Sequence, residues 1–89
     1  MISKSDKDTI ISLSKKYGLS RVLLFGSNAS AKKEGRDIDL AIEGIKPSEF
    51  FAFYGDLMLR LSKPVDLIDL SVSSRFQKMV AAEGIPIYG

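Results

Sequence analysis

Cysteine and histidine are both absent from this sequence of 89 residues. Without cysteine there can be no disulfide framework and no thiolate metal site. Without histidine, a Ser-His-Asp triad, a histidine general base and a histidine-ligated zinc ion are excluded as well. Any metal ion that binds here must therefore be a hard cation held by oxygen ligands.

Long hydrophobic runs and a strong excess of one charge are also missing. The net charge is +2, from 13 basic and 11 acidic residues that are interspersed, whereas a surface that tracks nucleic acid usually has a stronger basic bias. The longest apolar stretch is far too short to span a bilayer, and residues 1–7 are too polar for a signal peptide. We therefore expect a cytoplasmic protein without membrane contact or direct nucleic-acid binding.

The hydrophobic pattern predicts a single domain over residues 1–89, in which helices and strands alternate. A capping-box spacing between Ser5 and Asp8 places the start of the first helix at Ser5, and Gly18 ends it. The remaining elements are strands over 22–25, 38–42, 65–70 and 85–88, a helix from Pro47 to about Leu61 and a helix from Ser74 to Gly84. Strands separated by helices predict an α/β fold with one mixed sheet flanked by helices.

Aspartates on two of the predicted strands form the candidate catalytic and metal-binding group. Asp37 and Asp39 are two residues apart and point to one face of a strand, and Asp66 lies on a later strand. Carboxylates this close repel each other unless they are protonated or bind a cation. Since histidine and cysteine are absent, that cation would be Mg²⁺ or Mn²⁺, and two such ions can clamp the attacking and leaving oxygens of a phosphoryl displacement.

Gly26 and Ser27 follow the first strand and form the candidate phosphate cradle. Glycine lets the backbone approach a phosphate closely, and Ser27 adds a hydroxyl and an N–H at a predicted helix start. Each pattern also has a purely structural interpretation: Gly-Ser can be an ordinary turn, and the aspartates can be solvated strand residues. Their joint order and spacing favour the functional interpretation.

The joint motif resembles that of a known enzyme superfamily. Leu24-Phe25-Gly26-Ser27, nine further residues and then Asp37-Ile38-Asp39-Leu40 are similar to the signature of the DNA polymerase beta-like nucleotidyltransferases. Val65-Asp66-Leu67-Ile68 resembles their third-carboxylate strand, and residues 83–88 resemble the usual ending of the minimal nucleotidyltransferases. These short prokaryotic members are often encoded beside a helical HEPN protein. The resemblance covers roughly Ile10 to Tyr88.

The resemblance implies a Mg²⁺- or Mn²⁺-dependent transferase that uses a nucleoside triphosphate, with ATP as the expected donor. The acceptor would be a hydroxyl of a HEPN-type toxin, with this chain as the antitoxin of the pair. Asp66 and Asp69 are three residues apart and face opposite sides of a strand, and the family pattern assigns the ligand role to Asp66. The family's usual arginine after Gly-Ser is replaced by Asn28, and Lys32, Lys33 or Arg36 would have to supply that phosphate contact.

Two further functions remain open. The chain could be an antitoxin or regulatory subunit that masks its partner by binding alone, or a transferase that acts on a small molecule or RNA. The apolar residues of the helix from Pro47 to Leu61 cover an arc of roughly 160°, wider than the ~100° that a core-facing stripe requires. This arc, which includes Phe50, Phe51, Tyr54 and Met58, indicates either a deeply buried helix or contact with another subunit, including a homo-oligomer.

Overall fold

A computed structural model describes residues 2–25, 37–71 and 74–89 of the chain. In chain order, the elements are helix α1 (Lys4–Lys16), strand β1 (Arg21–Phe25), strand β2 (Ile38–Glu43), a 3-10 turn (Pro47–Glu49) that continues into helix α2 (Phe50–Arg60), strand β3 (Val65–Asp69), helix α3 (Arg75–Glu83) and strand β4 (Ile85–Tyr88). Across these ranges, no helix has the length and apolar character needed to cross a bilayer.

The four strands form one sheet in the order β3-β2-β1-β4. Strands β2 and β3 are parallel, while β1 is antiparallel to both β2 and β4. The parallel pair requires a crossover, which α2 provides, and the antiparallel neighbours need none. The structure confirms the predicted α/β class with a mixed sheet flanked by helices.

Strict alternation along β2 divides the interior into two layers. Ile38, Leu40 and Ile42 are fully buried in the main core, together with residues from α1 and α2. Ala41 points the other way and packs with Leu23 and Val80, and Val80 belongs to α3. The sheet therefore has an α1/α2 side and an α3 side, and every second residue of β2 faces α3.

The first helix begins earlier than the sequence predicted. Ser3 is its N-cap and accepts a hydrogen bond from the Asp6 backbone N–H at 3.1 Å, so the predicted start at Ser5 with Asp8 is wrong. Asp6 is only 4% exposed, and its carboxylate accepts hydrogen bonds from the backbone N–H (3.1 Å) and the hydroxyl of Ser62. These long-range hydrogen bonds from Ser62 hold the first turn in place, and no local sequence motif predicts them.

The last helix begins as predicted. The Ser74 hydroxyl accepts a hydrogen bond from the Gln77 backbone N–H at 3.3 Å, as an N-cap does. Gly84 follows the helix and leads directly into β4, where Ile85 is the register partner of Leu24. A Cβ at position 84 would lie 2.9 Å from the Val80 carbonyl oxygen and 3.0 Å from the Leu23 Cβ, so this tight passage requires glycine.

Candidate active site

The parallel pairing of β2 and β3 brings Asp39 and Asp66 together. The two residues lie opposite each other on neighbouring strands, next to the paired residues Ile38 and Val65. Asp37 lies immediately before β2, two residues from Asp39. Because Leu40 faces the main core, Asp39 and its partner Asp66 lie on the α3 side of the sheet.

Electrostatics show that these carboxylates act on one another. Partial burial raises the pKa of the Asp39 carboxyl above its usual value, and the negative charges of Asp66 and Asp37 raise it further. Asp37 and Asp66 are themselves exposed. The group is therefore a cluster of negative charge that is open to solvent, and at its innermost member, Asp39, the charged form is disfavoured.

Asp69 lies outside this cluster. It is the register partner of Ile42, whose side chain points into the main core, so alternation places Asp69 on the face opposite to Asp66. Its Oδ1 accepts a hydrogen bond from the Ser71 backbone N–H at 2.9 Å and caps the turn that follows β3. The two aspartates therefore have the opposite orientations that their spacing predicted.

Contacts that sequence patterns do not reveal hold the Asp66 end of β3 in place. The Ile38 backbone N–H donates to the Pro64 carbonyl at 2.8 Å, which extends the β2–β3 pairing just before Asp66. The Tyr54 hydroxyl donates to the Val65 carbonyl at 3.0 Å and ties α2 to the same point. Tyr54 is half-buried against the main core, so it positions this strand and is not a surface docking residue.

The predicted phosphate cradle directly follows β1. Phe25, the last residue of β1, is the register partner of Asp39, so the chain leaves the sheet beside the carboxylates. Gly26 and Ser27 lie outside the described residues, as do Asn28, Lys32, Lys33 and Arg36. Their assignment as phosphate-binding residues remains a prediction from the sequence.

The donor set fits a hard divalent cation in chemistry and charge. Asp39 and Asp66 present carboxylate oxygens from paired positions, and the pKa of Asp39 is raised first by burial and then by the neighbouring negative charges, which a cation would neutralise. Within residues 2–25, 37–71 and 74–89, however, no three acidic, histidine or cysteine side chains are placed to hold a metal ion by themselves. Magnesium usually binds through one or two carboxylates completed by water and substrate phosphates, so these residues fit a site that the nucleotide completes.

Comparison with known families identifies the class of protein. The model of the family described as Polymerase beta, Nucleotidyltransferase matches residues 8–89. The chain therefore belongs to this nucleotidyltransferase family, as its motifs indicated. No curated protein sequence gives a significant match.

Solved structures with the same fold include proteins from toxin–antitoxin systems. A toxin–antitoxin crystal structure with AMP-PNP is 26% identical, with a TM-score of 0.76 over 93% of this chain and 73% of that one. A chain from the complex of a tri-AMPylated Shewanella oneidensis HEPN toxin with MNT antitoxin is also 26% identical. Its TM-score is 0.71, and the match covers 94% of this chain and 70% of that one. A structure described as a minimal nucleotidyltransferase is 28% identical, with a TM-score of 0.72 over 90% of this chain and 87% of that one.

Proposed function

We propose that this chain is a magnesium-dependent nucleotidyltransferase that transfers AMP from ATP to a hydroxyl of a helical HEPN-type protein and thereby acts as its antitoxin. The observation that carries this proposal is the direct pairing of Asp39 with Asp66 across β2 and β3, with Asp37 two residues away. A negative cluster of this kind is costly unless a cation or a proton compensates it.

The residues have distinct places in the proposed chemistry. Asp37, Asp39 and Asp66 would hold Mg²⁺, which neutralises triphosphate charge and polarises the α-phosphoryl group when it is bound. The acceptor oxygen attacks the α-phosphorus, the bond from that phosphorus to the β-phosphate oxygen breaks, and pyrophosphate leaves. We assign the acceptor's proton to a carboxylate oxygen of Asp66, because Asp66 is more exposed than Asp39 and so more accessible to an incoming hydroxyl.

The acceptor assignment rests on the openness of the site and on related proteins. The carboxylates lie at the solvent boundary, so a segment of another protein can reach them without entering a deep cleft. One structurally similar complex contains an AMPylated HEPN toxin, and another contains AMP-PNP. The complex with AMP-PNP supports ATP as the donor, and the AMPylated toxin supports a HEPN protein as the acceptor for this chain.

The proposal is tested by measuring the intact mass of a purified HEPN-type protein, taken from the gene neighbourhood if one is encoded there, after incubation with this chain, ATP and Mg²⁺. We expect a mass increase of one or more adenylyl groups. Asp39→Asn and Asp66→Asn should each abolish the increase, because both remove a carboxylate from the cluster. Asp69→Asn is the matched control and should retain transfer, because Asp69 lies on the opposite face and Asn can still cap Ser71.

Two outcomes would contradict this function. Transfer that survives both Asp39→Asn and Asp66→Asn would exclude the paired carboxylates as the catalytic group. Neutralisation of the partner by the wild-type chain with no change in the partner's mass would favour an antitoxin that acts by binding alone.

A further inference from the structure

The position of the Asp66 carboxylate depends on the main chain of β3. Among the described strands, β3 lies at the edge of the sheet and pairs with β2 on one side only. The Asp66 side chain is exposed and lies opposite the carboxylate of Asp39, so packing does not hold it in place. The hydrogen bonds of the main chain at and just before residue 66 therefore decide where this carboxylate lies.

The peptide unit between Val65 and Asp66 is bonded at both of its ends. The Ile38 N–H donates to the Pro64 carbonyl at 2.8 Å, and in a parallel ladder the same residue directs its own carbonyl to the Asp66 N–H. Because a trans peptide is planar, the Val65 carbonyl points the opposite way, from β2 towards the edge of the sheet. There the Tyr54 hydroxyl donates to it at 3.0 Å.

The Tyr54 hydroxyl is the better anchored partner in this bond. Tyr54 belongs to α2, which Phe53 and Leu57 hold in the main core with fully buried side chains. The Tyr54 ring packs against the same core and lies edge-on to Phe50, with ring centroids 6.2 Å apart. A water molecule could also satisfy the Val65 carbonyl, but a side chain carried by a packed helix fixes the direction of that carbonyl as well.

We propose that Tyr54 is a positioning residue for the cation site: its hydroxyl orients the Val65–Asp66 peptide and thereby holds the Asp66 carboxylate beside that of Asp39. This inference rests on the proposed function, because it takes Asp66 as a residue that holds Mg²⁺. Groups that orient a metal ligand typically contribute about 10- to 100-fold to metal affinity. Tyr54 acts through a peptide unit and not on the carboxylate itself, so we expect a smaller contribution of roughly 3- to 10-fold.

Tyr17 offers a matched control. Its hydroxyl donates to the Asp56 carboxylate of α2 at 2.6 Å, and its ring lies edge-on to Phe53, with ring centroids 5.3 Å apart. Tyr17→Phe and Tyr54→Phe therefore make the same chemical change, and each removes one hydrogen bond that joins α2 to another element. Only Tyr54→Phe releases the peptide that precedes Asp66, so a loss that both variants share reflects stability and not the position of the carboxylate.

Mn²⁺ binding, measured by electron paramagnetic resonance, tests this role without any transfer step. The chain is titrated with Mn²⁺ in the presence of α,β-methylene-ATP, whose α–β linkage cannot be cleaved. Tyr54→Phe should weaken Mn²⁺ binding roughly 3- to 10-fold, whereas Tyr17→Phe should leave it unchanged. When Tyr54→Phe is combined with Asp66→Asn, binding should be no weaker than in Asp66→Asn alone, because Tyr54 acts only through Asp66.

Amide hydrogen exchange, followed by NMR without metal or nucleotide, gives a second readout. In Tyr54→Phe the Asp66 N–H should exchange roughly 3- to 10-fold faster than in the wild type, as expected for the loss of one ordinary hydrogen bond. The Leu70 N–H is the internal reference, because it donates to the Ile42 carbonyl at 2.7 Å just beyond the far end of β3. Its exchange rate should stay the same, since a local change at residue 66 leaves that end of the strand paired.

The role of Tyr54 is overturned by unchanged Mn²⁺ affinity in Tyr54→Phe, by an equal loss in Tyr17→Phe, or by additive losses in the double variant. Equal acceleration of exchange at Asp66 and Leu70 would overturn it as well, because it would show global destabilisation. The proposed function fails in a different way. A wild type that binds no Mn²⁺ with the nucleotide, or an Asp66→Asn variant that binds Mn²⁺ as well as the wild type, would refute the cation site itself. The exchange experiment would then still decide whether Tyr54 orients the peptide.

Discussion

Removing one negative charge from the pair of Asp39 and Asp66 should raise the stability of the folded protein and also abolish nucleotide transfer. In Asp39→Asn the side chain keeps its size, but the charge that is partly buried beside Asp66 and Asp37 is lost. We therefore expect the variant to unfold at a higher temperature than the wild type when metal and nucleotide are absent. A residue whose replacement raises stability and removes activity is one that the fold holds at an energetic cost.

The size of the effect follows from the pairing. Neighbouring strands are about 4.8 Å apart, and two unit charges at about 5 Å in a water-like dielectric repel by about 0.8 kcal/mol. Asp66 is exposed and Asp39 only partly buried, so solvent screening keeps the gain at about 0.5–1 kcal/mol. For a domain of this size, each 1 kcal/mol raises the melting temperature by about 4–8 °C.

Thermal unfolding in EDTA at several pH values measures this effect and its sign. The pKa of Asp39 is raised in the folded state, so folded protein binds the extra proton between the unfolded and folded pKa values. The contribution of Asp39 to the stability of the wild type must therefore fall as pH rises through that window. The higher melting temperature of Asp39→Asn should be present at neutral pH. It should disappear below about pH 4, where Asp39 of the wild type is protonated in both the folded and the unfolded protein.

The control for this measurement is Asp69→Asn, which removes an aspartate charge outside the cluster and keeps an acceptor for the Ser71 N–H. It should leave the melting temperature nearly unchanged at every pH. A lower melting temperature for Asp39→Asn at neutral pH, or an equal gain from Asp69→Asn, would refute the electrostatic coupling derived from the strand register.

Three further predictions concern the cation, the phosphate cradle and the first helix. Calorimetry should detect ATP binding with Mg²⁺ and little in EDTA, because the nucleotide and the carboxylates together complete the coordination shell; equal affinity would count against a metal site. Gly26→Val should abolish nucleotide use while the melting temperature is retained, and unchanged activity would exclude the cradle. Asp6→Ala should cost about 1.5–3 kcal/mol in urea unfolding, since it removes the buried acceptor of two hydrogen bonds from Ser62.

The order and type of the elements could be predicted because local signals were strong. Apolar runs marked the strands, and Ser74 and Gly84 bounded the last helix correctly. The start of the first helix was misplaced because Ser3 and Ser5 are both acceptable caps. In the structure, Ser3 is the cap, and Asp6 in the first turn contacts Ser62, 56 residues further along the chain. Sequence periodicity does not predict such a long-range contact.

The candidate site was predictable only in part, for a related reason. Spacing alone placed Asp37 and Asp39 on one face, but it left open whether Asp66 or Asp69 joined them. That choice depends on the register of β2 against β3, which strand periodicity does not specify because the two strands are 22 residues or more apart in the chain. The division of the apolar arc on α2 was likewise open, and the structure places Tyr54 against the core and Phe51 in solvent.

One geometric property of the sheet explains how so short a chain can carry both a charged site and a core. Alternation along β2 places Leu40 in the main core and Asp39 on the α3 side, although the two residues are adjacent. The α1/α2 side therefore holds most of the buried apolar side chains, while the α3 side tolerates repulsion between Asp39 and Asp66. Since α2 covers the packed side, the core and the charged group use opposite sides of one sheet without competing for residues.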